Sequence, residues 1–358
     1  MKQKITAVLF LTVLFLFFFL HLAMPDQELS TAERRHMEQF PPVSPETVFS
    51  GAWMKDFEDY TLDQFPFRES FRSLKANAMF HLFHFQDNHH LFMHEDHIVK
   101  MEYPLNEKSF NYFTKKLSSI EEMLPETAEL YLAVIPDKNY YIEDSHLRLP
   151  YESLFSQLQK ELPGMTWISL DDSLTLDSFY KTDLHWRQEM LNPVVETLAE
   201  VMHTDLPTVE NTSHSFSPFY GAYAGQAAMP VQKETLYWLT NDFTDASILQ
   251  NYEYGREEPL YTTDKLNGMD PYDVFLTGPS PLLTLRNPLV QNGKKLLLFR
   301  DSFGSSLAPL LLGGYEEITL LDLRYISMEK AAEYIDFHDY QVLFLYSTTL
   351  INKSFSLK

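Results

Sequence analysis

The chain has no cysteine, only 11 glycines, and 28 Lys and Arg against 50 Asp and Glu. Each shortage excludes something. Without cysteine there are no disulfides, thiolate zinc sites, iron–sulfur clusters or cysteine nucleophiles. The few glycines form neither the dinucleotide fingerprint nor a P-loop. A formal charge of −22 repels nucleic acid, whose binding rests on Lys and Arg neutralising phosphates, so no nucleic-acid partner is expected. What is present is a 358-residue chain, 45% hydrophobic, which suffices for a sizeable core. By length it forms one large α/β unit or about two domains. No internal repeat is visible.

Lys2 and Lys4 precede an almost wholly apolar run from Ile5 to Met24, and Asp26 and Glu28 follow it. About 20 such residues span a bilayer as a helix. The positive-inside bias puts the short N-terminus in the cytoplasm and the bulk of the chain outside. The expectation is a signal anchor over residues 1–24, a single pass through the cell membrane with an extracytoplasmic body. A cleaved signal peptide is the rival reading, although no small-x-small site closes the run. An extracytoplasmic chain without disulfides is compatible with a Gram-positive bacterium. Residues 25–85 read as a linker and helical arm. Prolines 25, 41, 42 and 45 mark a tether, and Phe67, Phe71, Leu74 and Ala78 recur at helical spacing after an interruption at Phe65-Pro66-Phe67.

Residues 86–358 carry an α/β rhythm. A hairpin is expected over 89–101, turning at His94-Glu95-Asp96. Apolar runs at 130–135, 165–170, 295–299, 317–322 and 341–346 predict strands. Periodic segments at 110–124, 151–162, 188–203, 305–312 and 328–337 predict helices, with Pro193 in a first turn or at a kink. Short apolar strands alternating with helices imply a mainly parallel sheet covered on both faces, a three-layer α/β fold. The aromatic-rich stretch 211–290 reads as an irregular or antiparallel insertion.

Two places combine reactive groups with strand ends. Phe299-Arg-Asp-Ser-Phe303 follows a buried strand and precedes a helix. Open α/β sheets bind ligands beyond the carboxyl ends of their strands. Ser302 is therefore a nucleophile candidate, the backbone N–H groups of Ser302 and Phe303 being the natural oxyanion donors and Gly278 a second choice. An ordinary N-cap explains the same residues. A serine hydroxyl needs a base. Asp183-Leu-His185-Trp186 supplies one: histidine is the residue type suited to a general base, and Asp183 two residues earlier can orient the His185 imidazole. A solvated loop with a helix cap is the bland alternative for this motif. Trp186 either walls the base from water or packs into the core.

Tyr180-Lys-Thr-Asp-Leu-His-Trp186 resembles the signature of the DHHW protein family, with Leu184 where the first histidine usually stands. That family looks like the alginate O-acetyltransferase group, a permuted branch of the SGNH hydrolases in which Asp and His precede Ser. Asp63-Gln-Phe-Pro-Phe-Arg68, Val134-Ile-Pro-Asp-Lys138, Leu296 to Phe303, Leu321-Asp-Leu-Arg-Tyr325 and Val342 to Tyr346 are similar to further blocks of the family, in order. The resemblance implies an SGNH hydrolase-like fold with permuted motif order. It implies Ser302 as nucleophile, His185 as base and Asp183 as orienter. It also implies double displacement of an acyl group to a sugar or water, no cofactor, and a membrane-bound acyltransferase as acetyl donor. The implied substrate is a cell-envelope or exported polysaccharide.

Trp186, Tyr220 and Tyr223 are the candidate substrate contacts, since aromatic rings of this stretch could stack sugars; core packing is the commoner fate of any single ring. Histidines 81, 84, 89, 90, 94 and 97 cluster, and His90 and His94 have helical ligand spacing, but a hairpin puts alternate histidines on opposite faces, so no metal is expected. The alternative function is a catalytically inactive carbohydrate-binding or assembly protein of the cell envelope.

Overall fold

The computed structural model describes residues 2–83, 87–143, 147–229 and 231–358, the side chain of His81 excepted. Two compact units emerge, residues 1–89 with 224–231, and residues 90–223 with 232–358.

In the first unit, the apolar run forms one helix, α1 (Lys2–Ala23), with no buried residue. It is long and apolar enough to cross a membrane, a test that a signal sequence also passes. Strands β1 (Leu29–Ser30) and β2 (Arg35–His36) pair as a small ribbon. The arm is helical, as its periodicity predicts: α2 (Pro45–Ser50), α3 (Ala52–Asp63) and α4 (Arg68–Asn77), continued by a π-helical turn over Ala78–Leu82. Ser44 and Thr47 cap α2 reciprocally. The expected interruption at Phe65-Pro66-Phe67 separates α3 from α4, with Phe67 in the left-handed region at φ 59°. Arg35 grips the buried Asp63 carboxylate through both nitrogens, at 2.6 and 2.7 Å. The end of the arm at Phe85 lies outside the described residues.

In the second unit, the expected hairpin is β3 (Leu91–His94) and β4 (His97–Lys100). Helix α5 (Glu107–Glu121) starts at Asn106, whose side chain accepts from Ser109 N–H, and buries Phe110, Phe113, Leu117 and Ile120 along one face. There follow β5 (Glu129–Ile135), α6 (Tyr151–Glu161), β6 (Thr166–Ile168) and α7 (Asn192–Val201), with Pro193 in the first turn of α7. A 3-10 turn over Gln188–Met190 replaces the expected start of that helix. Strands β7 (Thr212–Phe219) and β8 (Glu234–Thr240) form a separate antiparallel ribbon. Then come β9 (Ile248–Asn251), β10 (Arg256–Glu258), β11 (Leu282–Arg286), β12 (Lys295–Arg300), β13 (Glu317–Leu321) and β14 (Tyr340–Ser347).

Eight strands make the main sheet, in the order β10-β9-β11-β13-β12-β14-β5-β6. The pairings from β13 through β12, β14 and β5 to β6 are parallel; β10, β9 and β11 add antiparallel. The aromatic-rich stretch is therefore not wholly an insertion, because three of its strands extend the sheet. Alternation sorts the strand residues onto two cores. Leu132, Val134, Leu297, Phe299, Val342 and Phe344 meet Phe113 and Leu117 of α5 and Leu154 and Leu158 of α6. Tyr131, Ala133, Leu296, Leu298, Leu343 and Leu345 meet Val194 and Leu198 of α7 and Leu307. Helices thus cover both faces, and the parallel strands deliver their carboxyl ends to one edge, where both candidate motifs stand.

Candidate active site

Asp301 fixes the exit from β12. Its Oδ1 accepts from Phe303 N–H at 3.1 Å and its Oδ2 from Ser347 N–H at 2.9 Å, tying the ends of β12 and β14 together. Ser302 then stands as N-cap of a short helix, Phe303–Leu307, with its side chain free of that helix. Its hydroxyl lies 2.8 Å from His185 Nε2. On the other side of the ring, Nδ1 lies 2.7 Å from Asp183 Oδ1, which also accepts from His185 N–H at 3.0 Å. Asp183 Oδ2 accepts from Ala222 N–H at 2.7 Å. An ionised carboxylate only accepts, so Nδ1 carries the proton and Nε2 presents its lone pair to the serine hydroxyl. Asp183 is wholly buried, His185 nearly so, and Ser302 is partly exposed, so this relay opens to solvent at its serine end. Tyr272 lies flat on the imidazole, with ring centroids 3.8 Å apart and an interplanar angle of 6°.

The loop bearing Asp183 and His185 is gripped from both sides. Lys138, at the carboxyl end of β5, donates to the carbonyls of Ile98, Tyr180 and Lys181 at 2.8, 2.6 and 3.2 Å. Burial pulls this ammonium down to about 7, opposed by the carboxylates of Asp183 and Glu234. The three carbonyls engage all three donors of its charged form. Glu234 of β8 accepts from the backbone N–H groups of Lys181 and Thr182, each at 2.6 Å, and from the Thr182 hydroxyl. The hairpin adds Ile98 N–H to Lys181 O at 2.7 Å. Gly221 packs so closely here that only glycine fits: a Cβ would fall 2.3 Å from Thr182 O and 2.4 Å from Asp183 Cβ.

Ser302, His185 and Asp183 thus come together. Other expectations need correction. Trp186 does not face a substrate: it is fully buried, and its indole N–H donates to Phe303 O at 3.1 Å and Ser306 Oγ at 2.8 Å. Tyr223 is also buried, 5.4 Å beneath Lys138 Nζ, whereas Tyr220 is about half exposed. The Phe303 N–H is occupied by Asp301, and the Gly278 N–H by Phe275 O at 3.1 Å, so neither is a free oxyanion donor. The Ser302 N–H meets no acceptor among the described residues. Arg300 is structural, buried beside Asp322 at 3.6 Å. Tyr272 and Glu234 were missed, and no spacing or motif around either could have revealed them. Among the described residues, no three His, Asp or Glu side chains gather to hold a metal. His84 lies outside the described residues.

No protein-family model matches the chain, and no curated protein sequence does. Solved structures do. A DHHW family protein from Eubacterium siraeum superposes with TM-score 0.59 at 15% identity, over 73% of this chain and 91% of that one. PatB1 from Bacillus cereus gives 0.58 at 18% identity, over 73% and 96%, and its sulfonyl adduct gives 0.57 at 18%, over 73% and 97%. The resemblance to the DHHW family read from the motifs is therefore present in the fold.

Proposed function

We propose that this chain is a membrane-anchored, extracytoplasmic serine acyl-ester enzyme, an O-acetyltransferase or acetylesterase acting on a cell-envelope or exported polysaccharide. One observation carries the reading: the unbroken line from Asp183 Oδ1 through both His185 ring nitrogens to the Ser302 hydroxyl, at 2.7 and 2.8 Å. Acetyl as the acyl group and a glycan as acceptor follow from the resemblance of Tyr180 to Trp186 and Phe299 to Phe303 to the DHHW signature, as does assignment to a permuted SGNH-like group. Anchoring and outward placement follow from α1 and the two lysines before its apolar run.

The reaction is a double displacement. Ser302 Oγ bonds to the ester carbonyl carbon while its proton passes to His185 Nε2. The carbonyl oxygen takes up negative charge, for which the Ser302 N–H would be the donor. The alkoxide leaves with the proton from Nε2, and Ser302 keeps the acetyl group. A sugar hydroxyl or water then gives its proton to His185 and attacks the acetyl carbon, and Ser302 recovers its proton as the Oγ–C bond breaks. Asp183 holds the tautomer and balances the imidazolium throughout. A membrane-bound acyltransferase would supply acetyl groups from the other side of the membrane.

Labelling by a serine-directed fluorophosphonate tests this reading. Wild type should label and Ser302→Ala should not. Equal labelling of both, or none of either, would leave the fold to a carbohydrate-binding or assembly role.

A further inference from the structure

We propose that the helical arm is a second membrane element, with the apolar stripe of α4 and its continuation immersed in the lipid of the outer leaflet. This rests on reading α1 as a membrane-spanning anchor and goes beyond it, since the arm lies outside the apolar run. Phe71, Leu74, Ala78 and Leu82 follow one another at steps of three, four and four residues along α4 and its continuation, one face of a helix, and Phe67 precedes them as the N-cap. Phe67, Phe71, Leu74 and Leu82 are 56, 42, 64 and 69% exposed, far more than a folded core leaves bare. The other side of α4 is occupied: Arg68 pairs with Glu33 at 2.5 Å, and Arg72 with Glu69 at 2.8 Å and with Gly225 O at 2.9 Å. The helix is thus polar toward its own unit and apolar away from it, the pattern of an interfacial helix.

Contact with α1 sets the depth. Phe65 stacks on Phe17 at 5.3 Å, and Phe71 meets the same ring edge-on at 5.6 Å. One turn later His21 packs on Tyr60 at 5.5 Å, and its Nδ1–H donates to Gln64 O at 3.1 Å. The arm therefore runs beside the last two turns of α1. Phe17 stands six residues before the end of α1, roughly 9 Å along its axis. A 22-residue helix is ~33 Å long, about the hydrocarbon thickness. If α1 spans, Phe17 sits below the outer surface, and Phe65 and Phe71 go with it. The stripe is continuous with that buried contact, so lipid is the occupant that fits.

The absence of cysteine makes the test direct. Leu14→Cys in α1, Leu74→Cys on the stripe and Glu69→Cys on the opposite face are made in the full chain. Each carries an environment-sensitive fluorophore in phosphatidylcholine–phosphatidylglycerol vesicles. Quenching by nitroxide-bearing lipid is compared with quenching by aqueous iodide. Lipid quenching should be strong at residues 14 and 74, and at 74 at least about threefold that at 69, where iodide should dominate. Lipid quenching at 14 with iodide quenching at 74 would overturn this inference alone and assign the stripe to a protein partner. Equal quenching at 74 and 69 would also overturn it. Failure at 14 would remove the anchor itself.

Discussion

Replacing Asp183 by Asn exchanges one acceptor oxygen for a donor NH2 and leaves the side-chain volume unchanged. Both carboxylate oxygens are in use: Oδ1 accepts from His185 N–H and Nδ1, and Oδ2 accepts from Ala222 N–H. If the amide oxygen faces His185, the NH2 opposes Ala222 N–H. If it faces Ala222, the NH2 opposes His185 N–H and donates to Nδ1, which drives the ring proton to Nε2 and leaves no base for Ser302. The second arrangement removes the base; the first leaves a donor–donor conflict in a fully buried place. An unmatched buried donor costs about 1–3 kcal/mol of stability, so the protein should remain folded. Loss of tautomer control and of the balancing charge should lower kcat about 10⁴-fold, about 5 kcal/mol of barrier. The assay is initial-rate turnover of a small acetyl ester, with thermal melting of both proteins as control. Turnover within about tenfold of wild type, at near-native melting, would refute the role of Asp183.

Gly221→Ala should cut kcat about 10²-fold on the same ester, because its Cβ would lie 2.3 Å from Thr182 O and push the Asp183 loop by about 1 Å. Arg300→Met should cost about 2–3 kcal/mol in urea unfolding, since it strips one partner from the buried Asp322 while Arg324 stays at 2.6 Å. Burial holds the His97 imidazole down at about 4 against its usual 6.5. Its folded value lies below its unfolded value, so the stability it contributes is full above pH 6.5 and is lost as pH falls toward 4. His97→Leu should flatten that acid limb by about 1–2 kcal/mol, read from melting across this pH range.

The parallel half of the sheet was legible because β5, β12 and β14 are buried on both faces and so read as continuous apolar runs. The antiparallel half was not. Strands β9 and β10 are four and three residues long and lie among turns, too short for a period to register. Asp183, His185 and Ser302 were legible because two of them sit two residues apart and the third directly follows a strand. Their supports were not, for a physical reason. Tyr272 and Glu234 reach the site from segments 87 and 49 residues beyond His185, and tertiary packing alone brings them there. Phe303 and Gly278 are not free oxyanion donors because their N–H groups are taken within their own turns, by the Asp301 carboxylate and by Phe275 O. Trp186 failed because Ser306 and Phe303 O satisfy its N–H inside the core.

The central claim is that Ser302 becomes acylated. Brief incubation with an activated acetyl ester, acid quench and mass spectrometry of the peptides test it most directly. The account predicts one acetyl group on the peptide containing Ser302 in wild type, and none on that peptide in His185→Ala or Ser302→Ala. Acetylation of that peptide to the same extent in His185→Ala, or none in wild type while the ester is turned over, would contradict it.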